Sequence, residues 1–454
     1  MNLKLGQAQK FIIWPLLVIV IALWNIPHTI AGRYICEGLL LLIVIAYKPN
    51  WRLFFSANKP LLIFFAYLFI QLLFFSTNYQ LAFSNFRAEW MHFILFSIIG
   101  AGVGLIFGKN GSNKILLYLG IAFSIPLYIH LTLSLIKGIS LGAIPWRYWG
   151  INEIHGDFGY PALEASILFL TFFLFEEKNK LNKALVIILI GLCIASPLLA
   201  ASRGGTGFTI ASILFVFISY LALLKRTQAE VKMKLVQLLI IIIAVLGVFK
   251  LGLVVDPDRW GGIFSRLSVG LQGNPTVTYC NGIDSLEQEL LNKGISITPE
   301  IQKGLNSVVD GDGSRMMAAR SGFDLMREHP MGVNQSKQAY QTAMIEACNA
   351  PPKIFMAHAH NGWIDTALAI GIPGALLLLI VILQYARLGW VALKNISITS
   401  SYGMALFASA IMWILRGFLD STLRDQMLEM QAFIFALLLG VILTKAQASK
   451  DLVK

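Results

Sequence analysis

Long apolar runs are the feature that most constrains this chain, because about 17–25 consecutive apolar residues suffice to cross a bilayer as a helix. Such runs recur along most of the sequence, near 11–29, 34–47, 60–76, 90–107, 115–136, 158–175, 184–200, 206–224, 235–255, 363–386, 402–417 and 428–444. Only 13% of the residues are charged, against about 25% in a soluble domain. The sequence therefore predicts an all-α polytopic membrane protein with twelve transmembrane helices.

Lysine and arginine divide unequally between the two sides of this arrangement. Placing the N-terminus in the cytoplasm puts most loop lysines on that side and returns the basic C-terminus to it, as the positive-inside rule expects. In the short segments of the opposite side the basic residues are nearly all arginine, namely Arg33, Arg87, Arg147, Arg203, Arg416 and Arg424. Because arginine grips phosphate or carboxylate with paired hydrogen bonds, we expect an anionic ligand at the outer face. We attribute the net charge of +12 to membrane topology, not to nucleic acid.

One long segment, 256–361, lies outside the apolar runs, on the outer side in this orientation. It divides the chain into residues 1–255 with transmembrane helices one to nine, the loop domain itself, and residues 362–454 with helices ten to twelve. Helical patterns within the loop occur around 284–304 and 315–328.

Two of the four cysteines, Cys280 and Cys348, lie in this exported segment. Oxidation is permitted there, so we predict that they form a disulfide. Cys36 and Cys193 lie in apolar runs and are expected to be small core hydrophobes.

The stretch LLAASRGGTGF, residues 198–208, contains Arg203 in a turn too short to carry it far from the membrane. A charge at that depth is costly unless it is paired or faces a wet cavity. Two interpretations remain open here: an anion clamp, with the adjacent glycines allowing close ligand approach, or an arginine reaching for lipid headgroups.

A second arginine lies in GDGSRMMAARSGFDLMREHP, residues 311–330. This pattern predicts a helix with Ser314 as its N-cap, ended at His329-Pro330. Arg315 would lie in the first turn, where backbone N–H groups favour anions, whereas Arg320 is expected on a solvated face. The alternative is an ordinary amphipathic surface helix.

Two other outer stretches combine arginine with carboxylates. SNFRAEWMHF contains Arg87 near Glu89, and LRGFLDSTLRDQMLEM contains Arg416 and Arg424 among acidic residues. The first can be an interface anchor paired with Glu89, and the second an internally neutralised turn.

The stretch MAHAHNGWIDTAL, residues 356–368, is the densest in candidate chemistry. Two histidines fall short of the three or four ligands of a zinc site, which leaves acid–base work or a structural role at a wet helix end. If the chain before the helix is extended, His358 and His360 should point to opposite sides.

Taken in order, these features resemble the O-antigen ligase and polymerase superfamily of bacterial inner membranes. The resemblance rests on the topology, the Arg–Gly turn, GSRMMAARSG, and HAHNGWIDTALAIGIPG with Gly371 and Gly374. It implies a GT-C-type, inverting glycosyltransferase that uses an undecaprenyl-diphosphate-linked glycan at the periplasmic face without metal, nucleotide or other cofactor. The specific expectation is an O-antigen ligase, with lipid A–core as the acceptor.

The resemblance also implies roles for residues. His360, Arg203 and Arg315 correspond to the catalytic histidine and arginines of the family, and a second set is expected to contact the diphosphate or the acceptor: Arg87, Arg424, Arg416, His358 and Asn361.

Three alternatives remain at this stage. An O-antigen polymerase and a protein O-oligosaccharyltransferase share the donor and differ in the acceptor. A transporter or flippase would place charges in mid-span and show inverted repeats, whereas the charges here gather at the ends of the apolar runs.

Overall fold

The fold is that of a computed structural model, which describes residues 12–109, 114–152, 155–176, 179–223, 239, 242–243, 246–248, 250–261, 263–309, 311–394 and 399–453. Within these ranges all regular structure is helical.

Ten labelled helices precede the large loop (residues 256–361): α1 Trp14–Leu23, α2 Ile30–Tyr47, α3 Trp51–Ala57, α4 Lys59–Phe74, α5 Tyr79–Asn85, α6 Met91–Lys109, α7 Ile115–Leu141, α8 Gly159–Phe175, α9 Lys180–Leu199 and α10 Arg203–Leu223. The loop contains α11 Pro257–Trp260, α12 Ile263–Gly270, α13 Pro275–Asn281, α14 Ile283–Asn292, α15 Pro299–Val309, α16 Asp312–Glu328 and α17 Ala339–Cys348. Three helices follow it: α18 Gly362–Lys394, α19 Ser400–Gly417 and α20 Asp425–Val453.

Seven stretches of helix within the described ranges are long and apolar enough to cross a membrane: Ile30–Tyr47, Tyr79–Lys109, Ile115–Leu141, Leu181–Leu199, Arg203–Leu223, Gly362–Lys394 and Asp425–Ala448. Helices α3 and α4, which bend by 86° at their junction, would together add an eighth, while α1 and α8 are apolar but shorter. The chain is thus a multi-pass membrane protein. The count of twelve spans stays a prediction, and the ninth expected span, 235–255, falls partly outside the described residues.

The bounds predicted from the sequence were wrong for two of these elements. The span expected at 90–107 extends back to Tyr79 through a π-helical turn at Phe86–Trp90. The loop pattern at 284–304 is two helices, α14 and α15. Amphipathic spacing does not reveal where a helix is interrupted, and the tight turn at Gly294 has a φ of 75°, which glycine adopts readily.

Helices α6 and α20 pack with their backbones almost in contact, through a row of small residues. A Cβ added to Gly100 or Gly104 would overlap the backbone of α20 at Phe433 or Leu437. Small residues four apart allow this close approach of membrane helices, so this pair anchors the last helix against the first half of the chain.

Helix α18 is broken at Gly371, where φ is 83° and ψ is 160°. The backbone groups released by the break pair with the large loop: Ile372 N–H donates to the Pro330 carbonyl at 2.9 Å, and Val333 N–H donates to the Leu368 carbonyl at 2.7 Å. Irregular backbone within a membrane helix requires such partners. The segment Pro330–Val333 therefore joins the loop to α18, about three turns below its first residue.

The same part of the loop also binds the N-terminal helices. Asn334 Oδ1 accepts hydrogen bonds from Thr77 and Asn78 N–H at 2.9 and 3.0 Å, and Gln335 Nε2 donates to the Leu68 carbonyl at 2.8 Å. Within the loop, Cys280 and Cys348 form a disulfide with Cα atoms 5.3 Å apart, while Cys36 and Cys193 are buried free thiols. The loop is thus fixed to two groups of helices.

Candidate active site

Arg203 lies at the first position of α10, which is capped by Ser202, whose Oγ accepts from Gly205 N–H at 3.2 Å. Its guanidinium makes two hydrogen bonds to Asp312 of the large loop, Nη1 to Oδ2 at 3.1 Å and Nη2 to Oδ1 at 2.5 Å. Arg266 Nε donates to the same carboxylate at 3.0 Å. One carboxylate thus holds two arginines together at the junction of the membrane helices and the loop.

The shared carboxylate stays ionised. Burial acts to raise the pKa of Asp312, but the hydrogen bonds and charges of Arg203 and Arg266 outweigh it and hold this pKa below its usual value. The three side chains carry a net charge of about +1, so the cluster still favours an anion.

Arg315 lies one turn further along α16 than Asp312. The expectation that Ser314 caps this helix was wrong, because the helix begins at Asp312 and Ser314 Oγ instead bonds the Gly311 backbone, accepting from its N–H at 3.2 Å. Among the described residues the Arg315 guanidinium has no hydrogen bond or ion pair, yet its charge lowers the pKa of both His360 and Asp420. Within the described structure Arg315 is therefore an unpaired cation whose charge acts on the histidines.

The two histidines face each other, and the expectation that they point to opposite sides was wrong. Their ring centroids are 4.1 Å apart in an edge-to-face arrangement. The alternation of an extended chain is lost because the backbone of His360 adopts a left-handed conformation with a φ of 52°. This conformation is uncommon for residues other than glycine. Such strain is typical of functional sites.

His358 is held by residues of α18 and of the turn between α19 and α20. Its Nδ1 lies 2.8 Å from Ser421 Oγ, and Ser421 Oγ donates to Asp365 Oδ2 at 2.5 Å. Asp365 Oδ1 also accepts from Ala359 N–H at 2.8 Å, between the two histidines. The carboxylate thus fixes both the backbone and one ring of the His-x-His stretch.

His360 has a different environment. Its Nδ1 is sealed from solvent and has no hydrogen-bond partner in the described part of the chain. Burial, together with the charges of His358, Arg315 and Arg424, lowers its pKa to about 3, and Asp420 offsets only part of this effect. The imidazole of His360 is therefore neutral over the physiological pH range.

Asp420 faces His360 from the turn between α19 and α20. Although burial would raise its pKa, the charges of Arg416 and Arg315 keep this pKa below its usual value. Arg416 is buried, lies 3.9 Å from Asp420 and stacks over the Tyr160 ring at 3.6 Å. Its Nε and Nη1 find no partner in the described ranges. Arg416 is therefore a buried cation behind Asp420.

The remaining residues that were expected to bind substrate have three different environments. Arg424 lies near both histidines and donates to Asp425 at 3.2 Å, while its Nη1 is buried without a described partner. Asn361 caps α18, since its Oδ1 accepts from Trp363 and Ile364 N–H at 3.1 Å each. Arg87 is exposed on the π-helical turn before α6, and within the described ranges no contact joins it to the histidines. Their roles in substrate binding stay predictions.

Sequence reasoning missed several residues that complete the site. Asp312 lies within the stretch 311–330, but a lone carboxylate at the start of a helix is ordinarily interpreted as a charge that favours the helix dipole. Nothing in the sequence around Ser421 or Arg266 indicated that these residues belong to the site. The expectation for Arg320 was wrong, because its guanidinium donates to the carbonyls of Gly270, Gln272 and Gly273 at 2.9–3.1 Å.

No group of three or more histidine, cysteine or acidic side chains is placed to hold a metal ion within the described ranges.

Comparison with known proteins gives one family. Residues 184–379 match the family model described as "Wzy_C: O-Antigen ligase". The matched segment includes Arg203, Asp312, Arg315 and both histidines, and it ends before the α19–α20 turn that contributes Asp420 and Ser421. No curated protein matches the chain significantly.

Proposed function

Because residues 184–379 match the O-antigen ligase family model, we propose that this chain belongs to the O-antigen ligase and polymerase family and that it is an O-antigen ligase. It transfers an O-polysaccharide from undecaprenyl diphosphate to lipid A–core, at the periplasmic face of a bacterial inner membrane. This proposal includes the orientation with twelve spans and both termini in the cytoplasm.

The observation that carries the proposal is the position of Arg315, whose charge acts on His360 and which lies one turn from the Arg203–Asp312–Arg266 cluster. Arg203 and Arg266 are held together by Asp312, and Arg315 lies one turn away with its guanidinium unpaired in the described structure. A lipid diphosphate leaving group gains negative charge as its glycosidic bond breaks, and preorganised cations stabilise that charge most effectively. The arginines lie at the end of membrane helix α10, where the diphosphate of a lipid donor would reside.

The reaction we propose is a single displacement. An acceptor sugar hydroxyl attacks the anomeric carbon from the face opposite the diphosphate, and the bond between that carbon and the phosphate oxygen breaks. Its electron pair stays on the diphosphate, where Arg203, Arg266 and Arg315 stabilise it. The hydroxyl proton passes to the histidine pair, and the anomeric configuration inverts.

His360 is suited to contact the acceptor hydroxyl because its imidazole is neutral. A neutral ring can accept a hydrogen bond from the hydroxyl, whereas a charged one cannot. A bound diphosphate would also raise the low pKa of His360, because an anion favours the protonated form. Proton transfer would thus become easier when the donor is in place.

Reconstitution tests the proposal directly. The purified protein in liposomes receives undecaprenyl-diphosphate-linked glycan and lipid A–core, with and without EDTA. We expect glycan-modified lipid A–core in both samples.

The outcomes separate the candidates. Absence of transfer to lipid A–core would refute the ligase proposal. Products in which one lipid diphosphate carries two joined glycans would identify a polymerase, and products on a serine- or threonine-containing peptide would identify a protein glycosyltransferase. Loss of transfer in EDTA would contradict a metal-independent mechanism.

A further inference from the structure

Arg416 is a deeply buried cation at the end of α19. Its side chain is only 2% exposed, and it lies in a slot beside two helices that meet through glycines. A Cβ added to Gly159 of α8 would lie 2.7 Å from Arg416 Nη2 and 2.6 Å from the Cα atom of Gly205 of α10. A side chain enclosed in this way suits a role behind the site more than contact with a substrate.

The side chain of Tyr160 supports this guanidinium and also reaches Asp420. The Cζ atom of Arg416 lies 3.6 Å from the centre of the Tyr160 ring, whose face attracts a cation most strongly when both groups are out of water. The phenol O–H donates to Asp420 Oδ2 at 3.4 Å, and Arg416 Nη2 lies 3.9 Å from the same oxygen. Tyr160 is itself stacked against Trp413, with 5.6 Å between the ring centroids. One aromatic residue therefore holds both members of the ion pair.

The backbone around Asp420 places this residue next to the histidines. Asp420 N–H donates to the Arg416 carbonyl at 3.0 Å, and Gly362 N–H, two residues after His360, donates to the Asp420 carbonyl at 3.0 Å. The other carboxylate oxygen, Oδ1, accepts from Ser421 N–H at 2.9 Å. The carboxylate is thus held from α8, from α19 and from its own turn, where its charge acts on His360.

We propose that Tyr160 and Arg416 are positioning residues of the reaction, which hold the Asp420 carboxylate as the counter-charge of the imidazolium that His360 becomes. This inference rests on the proposed glycosyl transfer. The acceptor O–H bond breaks as the new glycosidic bond forms, and its proton moves to the imidazole of His360, which later releases it to water. Because a nearby opposite charge favours the protonated ring, an ionised Asp420 makes this transfer easier.

The charges around this pair agree with the proposal. Burial would raise the pKa of Asp420, but Arg416, and after it Arg315, hold this pKa below its usual value. Burial and the neighbouring cations lower the pKa of His360, whereas Asp420 acts to raise it. Besides each other, the charged or titratable groups that act on Asp420 and His360 are Arg416, Arg315, Tyr160, His358 and Arg424.

The variant Arg416→Gln tests the electrostatic part of the proposal. Without the arginine the pKa of Asp420 rises, so the carboxylate is lost at a higher pH than in the unmodified protein. Relative to the unmodified protein, kcat of Arg416→Gln should therefore fall by about 10-fold more at pH 5 than at pH 8. Arg416→Lys retains the charge and should lack this additional fall. The same relative kcat of Arg416→Gln at both pH values would overturn the inference.

A double-mutant cycle shows whether Arg416 acts through Asp420. Asp420→Asn alone should lower kcat by about 10²-fold or more, with little change in the KM of the donor. Adding Arg416→Gln should lower kcat by at most about threefold more, because the carboxylate on which the arginine acts is already gone. Losses that multiply as for independent residues would contradict a positioning role.

Substitutions of Tyr160 separate the aromatic ring from the hydrogen bond. Tyr160→Leu removes the ring beneath the guanidinium, and we expect kcat to fall by about 10–30-fold. Tyr160→Phe keeps the ring and loses only the 3.4 Å hydrogen bond, so its loss should be smaller. Equal kcat in Tyr160→Leu and the unmodified protein would refute the role of the ring.

Arg33 provides a matched control. It is also buried in a membrane helix and lies 3.7 Å from a carboxylate, that of Glu429, but within the described ranges no contact joins it to the histidines. Arg33→Gln should not reproduce the additional fall at pH 5, and its unfolding temperature shows the cost of removing a buried guanidinium. The same fall in Arg33→Gln would assign the effect to folding and overturn the inference. Failure of the proposed function is distinct, since it would appear as absence of transfer by the unmodified protein.

Discussion

At the scale of the residue, the protonation state of His360 is the property with the clearest consequence. Burial and the nearby His358 and Arg315 lower its pKa to about 3, from an ordinary value of 6.5. The neutral form is therefore already present well below pH 6. A group with a depressed pKa of this kind loses its neutral form only when the pH falls through the depressed value.

We accordingly predict that kcat/KM shows no acidic limb near pH 6.5 that belongs to His360. Transfer rates measured from pH 5 to 8 at low donor concentration test this. The variant His360→Ala should lose about 10²–10⁴-fold in kcat at every pH in this range. A limb near pH 6.5 that disappears in His360→Gln would contradict the prediction.

Arg203 allows a second test at this scale. Its planar guanidinium makes two hydrogen bonds to Asp312, which the ammonium of lysine cannot reproduce. We predict that Arg203→Ala and Arg203→Lys both reduce transfer by about 10²–10³-fold, with normal expression. Arg327→Lys is the control, because Arg327 is exposed and stacks over Phe323. Full activity in Arg203→Lys would mean that charge alone suffices.

At the scale of the element, the break in α18 explains why glycines follow the histidines at this spacing. Gly371 has a φ of 83°, and a Cβ there would lie 2.8–2.9 Å from the backbone of Met331 and Pro330. Gly374 leaves room for the Tyr67 ring, whose edge is 2.7 Å from the position of an added Cβ. These glycines serve the junction between the loop and the helix, away from the histidine rings.

We predict that Gly371→Ala lowers stability by at least about 1–2 kcal/mol, the cost of a left-handed conformation in a residue with a Cβ, because the overlap with Met331 adds to it. Thermal unfolding in detergent measures the change. Gly191→Ala is the control, since nothing lies within 4 Å of an added Cβ there. An unchanged unfolding temperature in Gly371→Ala would show that the loop segment can move away freely.

At the scale of the whole molecule, the large loop is an integral part of the site. It supplies Asp312 to the Arg203 cluster, the segment Pro330–Val333 to α18, and Asn334 to the turn before α5. Both histidines also belong to it. Residues that act together in the proposed reaction therefore depend on how the loop is held.

The disulfide gives a test at this scale. Cys280 and Cys348 are 68 residues apart, so the chain-entropy model assigns the crosslink about 4 kcal/mol. We predict that Cys280→Ser with Cys348→Ser lowers the unfolding temperature and that reductant lowers it equally in the unmodified protein. Transfer at low temperature should persist, because neither sulfur lies among the site residues. Equal unfolding temperatures with and without reductant would contradict the prediction.

The sequence by itself determined the class of protein and most of the charged residues of interest. Apolar runs long enough to cross a membrane form helices there, because backbone N–H and C=O groups in lipid must form their hydrogen bonds within the helix. The sequence pointed to Arg203, Arg315 and the histidines because polar or charged residues near the membrane are energetically costly unless they are paired or face a wet cavity. The end of this helix at His329-Pro330 was likewise predictable from the local sequence, and α16 does end at Glu328.

Only the tertiary structure decided how these residues are paired. Asp312 joins Arg203 across 109 positions of sequence, and Ser421 reaches His358 across 63. Such contacts depend on helix packing, which hydrophobic periodicity does not encode. The mutual orientation of His358 and His360 also required it, because the left-handed backbone of His360 is set by its surroundings and not by the preferences of its own side chain.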